Sequence, residues 1–185
     1  MSANTIKQNI KSSALELFNT KGFEATSIRE LSSKADCSLP MMYYYYESKE
    51  KLLYEIVATD FIEIMNRIFL KAFKTGNLRQ FVISFVSDIL ALSGSEKQTV
   101  QIALRLHMGS PKHEELNKII LAYKFSKENS LKDLLINTWR TDKNIETKTH
   151  LTFNIIYNAM IAALLTNRPV SVKQAETDIL FLLQD

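Results

Sequence analysis

SIRELSSKADCSLPMMYYYYESKEKLL, residues 27–53, divides into a short helix, a tight turn, a second short helix dense in aromatic side chains, and the capped start of a third. Ser27 at an N-cap and Glu30 three residues on can each satisfy a free backbone N–H of a first turn. Ile28, Leu31 and Ala35 recur at helical spacing and give that helix one apolar face. It should end at Asp36, a residue type that tolerates the left-handed backbone of a tight exit, though less well than glycine. Ser38 caps the second helix, and Pro40 falls in its first turn, where the missing N–H costs little.

The next six residues, MMYYYY, would be a strand by β-propensity alone. Helical pairing argues otherwise. Met42 and Tyr46 lie four residues apart and can face inward together, while Pro40, Met41, Tyr44 and Tyr45 turn mostly outward. So short a run could not stand as a lone strand in water. Ser48 then caps a long helix whose first residue is Lys49, at a helix start where backbone N–H groups favour a phosphate. The whole is a helix-turn-helix.

Upstream, residues 5–21 form a first helix with Ile6, Ile10, Ala14, Leu17 and Phe18 on one side. Thr5 with Gln8 offers a capping box, Gly22 ends the helix, and Phe23 folds back. Leu17, Phe18, Phe23, Ile28, Leu31, Met42 and Tyr46 are expected to form a three-helix hydrophobic core.

The pattern of Leu17-Phe18, Gly22-Phe23, Thr26-Ser27-Ile28, Ala35, Ser38, Tyr43 and Ser48-Lys49-Glu50-Lys51-Leu52-Leu53 resembles the N-terminal domain of the TetR/AcrR-type bacterial transcriptional regulators. The resemblance covers residues 6–53; beyond Leu53 no motif is recognisable, as that family usually shows. It implies DNA contacts at Ser27, Leu39, Pro40, Met41, Tyr43, Tyr45 and Lys49, with Ser38 and Tyr44 completing the DNA-facing set. Tyr43 and Lys49 stand where the family grips phosphates, and a hydroxyl donor and a cation suit that task. Leu39, Pro40 and Met41 stand where bases are usually reached. None can make a bidentate hydrogen bond to a base, so readout would rest on thymine methyls and tyrosine hydroxyls. Asp36 departs from the family, which normally has glycine at that turn.

The helix from Ser48 continues through Ile56, Phe61, Ile64, Ile68 and Phe73 to Gly76, about 26 residues and roughly 40 Å, a natural lever. Later segments all have helical spacing. One carries Leu78, Phe81, Val82, Phe85, Ile89 and Leu92; the next Val100, Ala103, Leu104 and His107; then a long one from His113 to Thr141, with Asn129-Ser130 marking a bend. The breaks are Ser93-Gly94-Ser95 and Gly109-Ser110-Pro111. The last two helices, about Ile145–Asn167 and Val172–Leu183, are apolar on more than one face. A four-helix bundle made by two copies of this pair would cover the excess, and two-fold symmetry would present two reading helices to one palindromic operator. Ile156, Ala159, Met160, Ala163, Ile179 and Leu183 are the expected dimer contacts.

An effector site is expected among aromatic, sulfur and polar residues of the later helices: Phe61, Met65, Phe85, His107, Tyr123, Trp139, Asn154 and Asn158. Asn154 and Asn158 lie one turn apart on the most apolar helix, and buried polar groups need partners. Hydrogen bonds between helices across the dimer would serve them equally well.

Composition excludes more than it assigns. The 185 residues hold one cysteine, Cys37, so no internal disulfide and no thiolate metal cluster can form. His107, His113 and His150 show no ligand spacing with carboxylates, and neither catalytic residues nor a cofactor are expected. The longest apolar run, around Ile155 to Leu165, is too short to span a bilayer, and the N-terminus has no signal-peptide pattern, so a soluble cytoplasmic protein is expected. Residues 1–53 carry seven Lys or Arg against six Asp or Glu, a net of 7 − 6 = +1. So balanced a charge makes DNA affinity depend on where the cations point.

The expected architecture is all-α, about nine helices: a DNA-binding domain over residues 1–50, then a larger ligand-binding and dimerisation domain over 51–185. The expected function is a ligand-responsive repressor, a homodimer on operator DNA released by a small apolar or aromatic effector. The weak charge leaves one alternative, a helical protein-interaction module with a degenerate DNA-binding unit.

Overall fold

The computed structural model describes residues 3–109, 111–138, 143–166 and 168–182. Among them there is no strand. Ten α-helices follow one another: α1 (Ala3–Thr20), α2 (Ile28–Lys34), α3 (Leu39–Tyr45), α4 (Lys49–Tyr54), α5 (Ile62–Phe73), α6 (Leu78–Leu90), α7 (Gly94–Gly109), α8 (Glu114–Thr138), α9 (Ile145–Leu165) and α10 (Val172–Leu182). Between α4 and α5 the backbone keeps its helical dihedrals through a π-helical segment, Glu55–Phe61. Counting that run as one helix gives nine, as expected. α1 begins before Thr5, so the capping box expected there does not form. α8 runs through Asn129-Ser130, where a bend is expected, as one continuous helix.

The chain packs as two compact units, residues 1–62 with 93–117, and 63–92 with 118–185. This differs from a packing boundary at residue 50, because α7 returns to the N-terminal helices. In the first unit α1 packs against α2 and α7, α2 against α3, and the π segment against α4 and α7. Its core includes Ile10, Ala14, Leu31, Met42, Leu52, Ile56, Val57, Val100 and Ala103, all fully buried. Asn19 on α1 donates from Nδ2 to the Gln98 carbonyl at 3.0 Å, and the Arg105 guanidinium donates back to the Asn19 carbonyl at 2.9 Å. In the second unit α6 packs against α9 and α10, and α9 against α10. Phe69, Phe73, Phe81 and Phe85 cluster there, with Phe69 and Phe85 ring centres 4.9 Å apart.

The π segment explains a shift of face. An i→i+5 turn carries one extra residue, so everything after it is rotated by about one position relative to an unbroken α-helix. Ile64 and Phe73, expected inward, are only partly covered, whereas Met65, Phe69 and Ala72 are buried instead.

Candidate nucleic-acid interface

The helix-turn-helix is assembled by three serine caps. Ser27 accepts from the Glu30 N–H at 3.2 Å, Ser38 from the Met41 N–H at 3.4 Å, and Ser48 from the Lys51 N–H at 3.1 Å. The N-cap residue of each helix is extended, so each cap turns the chain sharply into its helix. Between α2 and α3 the turn is made by Asp36 at φ 50°, the one non-glycine residue with positive φ among those described. We expect Asp36→Gly to raise stability by about 0.5 kcal/mol in urea unfolding, since glycine avoids the left-handed penalty but adds unfolded-state entropy. It should also tighten DNA binding by removing an exposed carboxylate. A loss of stability would mean that the Asp36 side chain supports the turn.

α3 is divided as its spacing requires. Met42 and Tyr46 are fully or almost fully buried; Tyr43 is 51% and Tyr44 79% exposed. Ser27, Ser38 and Pro40 are also exposed, while Leu39, Met41 and Tyr45 are partly covered. The Tyr44 and Tyr45 rings meet edge to face at 5.1 Å, which presents them as one aromatic ridge. Below this ridge the Tyr46 hydroxyl lies 3.3 Å from Glu55 of the π segment, which also receives Lys11 at 2.7 Å and Lys7 at 3.2 Å. Burial raises the Glu55 carboxyl, but the two lysines outweigh it and hold it below the usual carboxylate range. Burial, and then the charge of Glu55, push the Tyr46 phenol far above its ordinary value. The ridge therefore stands on a fixed, neutral phenol.

Lys49 departs from its expected role. Its ammonium donates to the Phe23 carbonyl at 2.8 Å and the Thr26 carbonyl at 2.9 Å, and sits 4.1 Å from the centre of the Phe23 ring. It ties down the loop between α1 and α2. Four other cations of this region are in ion pairs: Lys7 and Lys11 with Glu55, Lys21 with Glu30, and Lys34 with Glu16. Among the described residues, Arg29 on α2 and Lys51 on α4 are the exposed cations of this region without a carboxylate partner. They are the ones available to phosphates. No sequence signal singles them out, because pairing depends on contacts between helices. Cys37 is partly covered, and burial with the neighbouring Asp36 carboxylate raises its thiol, so it is not an activated thiolate.

The residues expected to hold an effector are divided between the two units. Phe61 and His107 belong to the first unit, while Met65, Phe85, Tyr123, Asn154 and Asn158 belong to the second; Trp139 lies outside the described residues. Phe85 is sealed against Val86, Ile89, Met160 and Ala163 with no room left for a water molecule, so that wall is core. Asn154 is half-buried and Asn158 exposed, which corrects the expectation of two buried amides.

The dimer set also needs correction. Ile156, Met160 and Ile179 are 1%, 5% and 0% exposed within their own chain, so they hold the second unit together and present nothing to a partner. Ala159 and Ala163 stay partly open, and Leu183 lies outside the described residues. The open side of α9 and α10 is instead a trough of about 540 Å³ that Ile155, Asn158, Ala159, Ala162 and Gln174 help to line.

Among the described residues no helix is long and apolar enough to cross a membrane, and no group of three or more His, Cys, Asp or Glu side chains could hold a metal ion.

Residues 10–56 match the sequence profile described as "Bacterial regulatory proteins, tetR family". A probable HTH-type transcriptional regulator of Bacillus subtilis, YttP, is 30% identical over 102 residues, 54% of this chain and 49% of that protein. The icaADBC negative transcriptional regulator IcaR of Staphylococcus epidermidis is 26% identical over 87 residues, 45% of this chain and 47% of that protein. The chain thus aligns with about half the length of the curated relatives it matches. A transcriptional regulator from Aquifex aeolicus has the same fold, with a TM-score of 0.72 at 19% identity, over 97% of this chain and 99% of that one. So does SmeT in complex with triclosan, with a TM-score of 0.73 at 14% identity, over 96% and 90%. By profile, residues 10–56 are similar to the TetR family of bacterial regulatory proteins, and nearly the whole chain shares its fold with solved transcriptional regulators.

Proposed function

We propose that the chain is a ligand-responsive transcriptional repressor that binds a palindromic operator as a homodimer and is released by a small apolar or aromatic effector. The observation that carries this reading is the exposed tyrosine ridge of α3 on a buried Met42 and Tyr46. A chain that needed these rings for its core would bury them. Ser27, Ser38, Leu39, Pro40, Met41, Tyr43, Tyr44 and Tyr45 form the DNA-facing surface, with Arg29 and Lys51 added for phosphates. IcaR, a negative regulator by name, supports repression, and the triclosan complex of SmeT supports a hydrophobic effector.

Dimerisation through α9 and α10 is supported by what those helices leave open. Leu151, Leu180 and Phe181 are 42%, 38% and 75% exposed, and the α9–α10 trough is lined partly by small residues that allow close helix approach. Effector binding would act by population shift, favouring chains whose reading helices are mis-spaced for the operator. The run from Lys49 to Phe73 is the element that would carry this change along the chain.

Sequencing the DNA fragments retained by the purified protein, with and without small-molecule extracts, tests operator and effector together. The apolar face of α3 makes a further demand on that operator, that its contacted positions be rich in thymine. Replacing a contacted thymine by uracil removes one methyl group, ~0.8 kcal/mol, and should weaken binding about fourfold in a fluorescence-anisotropy titration. Unchanged affinity at every such position would remove the methyl-reading mechanism. Absence of any enriched fragment would remove the regulator reading itself.

A further inference from the structure

In the second unit α8 turns two ammonium groups onto aromatic rings in place of carboxylates. Lys124 and Lys127 are three residues apart and therefore neighbours on one side of the helix. Lys127 Nζ lies 4.9 Å from the ring centre of Tyr123 and 5.9 Å from that of Phe69 on α5. Lys124 Nζ lies 5.0 Å from Tyr157 and 5.9 Å from Phe153, both on α9. The acid that could serve them along the same helix, Glu128, is held by the His150 ring nitrogen Nδ1 at 2.9 Å. Among the described residues neither lysine has a carboxylate partner.

Three helices thus converge on a part-buried doublet of positive charge walled by ring faces. Two like charges one turn apart repel, and burial lowers the Lys127 ammonium below its ordinary value. Burial also raises the Tyr123 and Tyr157 phenols, so neither supplies a phenolate to offset the charge. An ordinary surface lysine lays its stem on apolar side chains and keeps its head in water. Here both heads are directed at aromatic rings, whose faces attract a cation but do not neutralise it. What the cluster lacks is a negative charge of its own; Phe69 and Phe153 beside it are buried, while the Tyr123 and Tyr157 rings stay partly open.

We propose that Lys124 and Lys127 form the head-group site for an aromatic organic anion, a carboxylate or sulfonate carried on a ring system, whose rings lie against the half-buried Tyr123 and Tyr157. This rests on the proposed effector-released repressor and narrows the chemical class of its effector. A carboxylate between two ammonium groups makes charge-assisted bonds, and low surrounding polarity strengthens them.

The test is isothermal titration calorimetry of the full chain with three probes of one shape: 2-naphthoate, 2-naphthalenemethanol and 2-naphthylmethylammonium. Naphthoate should bind about tenfold or more tightly than the alcohol, and the ammonium more weakly still. In Lys124→Met/Lys127→Met the acid and the alcohol should bind within about twofold of each other, while Lys124→Arg/Lys127→Arg keeps the preference. If the double methionine variant does not fold, Lys127→Met alone should lose most of the preference. The assignment is overturned if naphthoate does not bind, if the alcohol binds equally well to the native chain, or if the preference survives loss of both charges. Repeating the titration on the operator complex separates this from the effector reading. Naphthoate that binds without releasing DNA supports the site and counts against the effector role. Release by the alcohol alone supports an effector and overturns the anion site.

Discussion

Lys49→Met should lower stability by about 2–3 kcal/mol while leaving the salt dependence of DNA binding unchanged. The ammonium makes two hydrogen bonds to backbone carbonyls, at 2.8 and 2.9 Å, and one ring contact at 4.1 Å. Hydrogen bonds to a charged group contribute about 1.5–3 kcal/mol each, less where water can replace them, and this side chain is only partly covered. Methionine keeps most of the stem's packing and removes all three polar contacts. Urea unfolding would show the loss as a lower midpoint at an unchanged slope. Binding should weaken, because the loop that sets α2 against α1 is released, yet the number of neutralised phosphates should not change. By contrast, Arg29→Met and Lys51→Met should each reduce the slope of log K against log salt by about 1 and shift stability by less than about 0.5 kcal/mol. A slope reduced by about 1 in Lys49→Met would return that residue to the phosphate backbone and sink the tether assignment.

The difference between Lys49 and the serine caps shows what is legible in this sequence. Ser27, Ser38 and Ser48 act on backbone within three residues, and all three cap as their spacing predicts. Asp36 takes the left-handed turn for the same local reason. Met42 and Tyr46 face inward because a four-residue spacing fixes one helical face. Lys49, however, finds its partners 23 and 26 residues away, and nothing in the residues beside it encodes that meeting. The π segment is hidden too, since EIVATDF carries no breaker, and it moves the buried face from Ile64 to Met65. α9 is ambiguous in another way. A helix apolar all round has no periodicity with which to tell a chain's own core from its partner's, so Ile156 and Met160 read as dimer contacts and yet belong to the protomer.

Cutting the chain after residue 50 should leave a fragment with no cooperative thermal transition. Residues 1–50 hold the whole helix-turn-helix, but the cover of α1 comes from further along. Leu52, Leu53, Ile56 and Val57 are at most 1% exposed, and Val100, Ala103 and Leu104 of α7 at most 2%. The fragment would also lose Glu55 and Asp60, which hold Lys7 and Lys11, and the Gln98 and Arg105 bonds to Asn19. Burying each large aliphatic side chain is worth about 1.5–3 kcal/mol, so losing several exceeds the roughly 5–15 kcal/mol by which a typical domain is stable. A fragment of this size is in any case near the limit for a self-sufficient core. A fragment of residues 1–117 restores α7, though it leaves α5 and α6 without the rest of their unit; it should recover a cooperative melt at lower temperature than the full chain. Far-UV circular dichroism of the two fragments and the intact protein decides the matter. A sharp melt of residues 1–50 near that of the intact protein would show that α7 is dispensable to the reading head, and that the boundary at residue 50 is one of folding as well as of sequence.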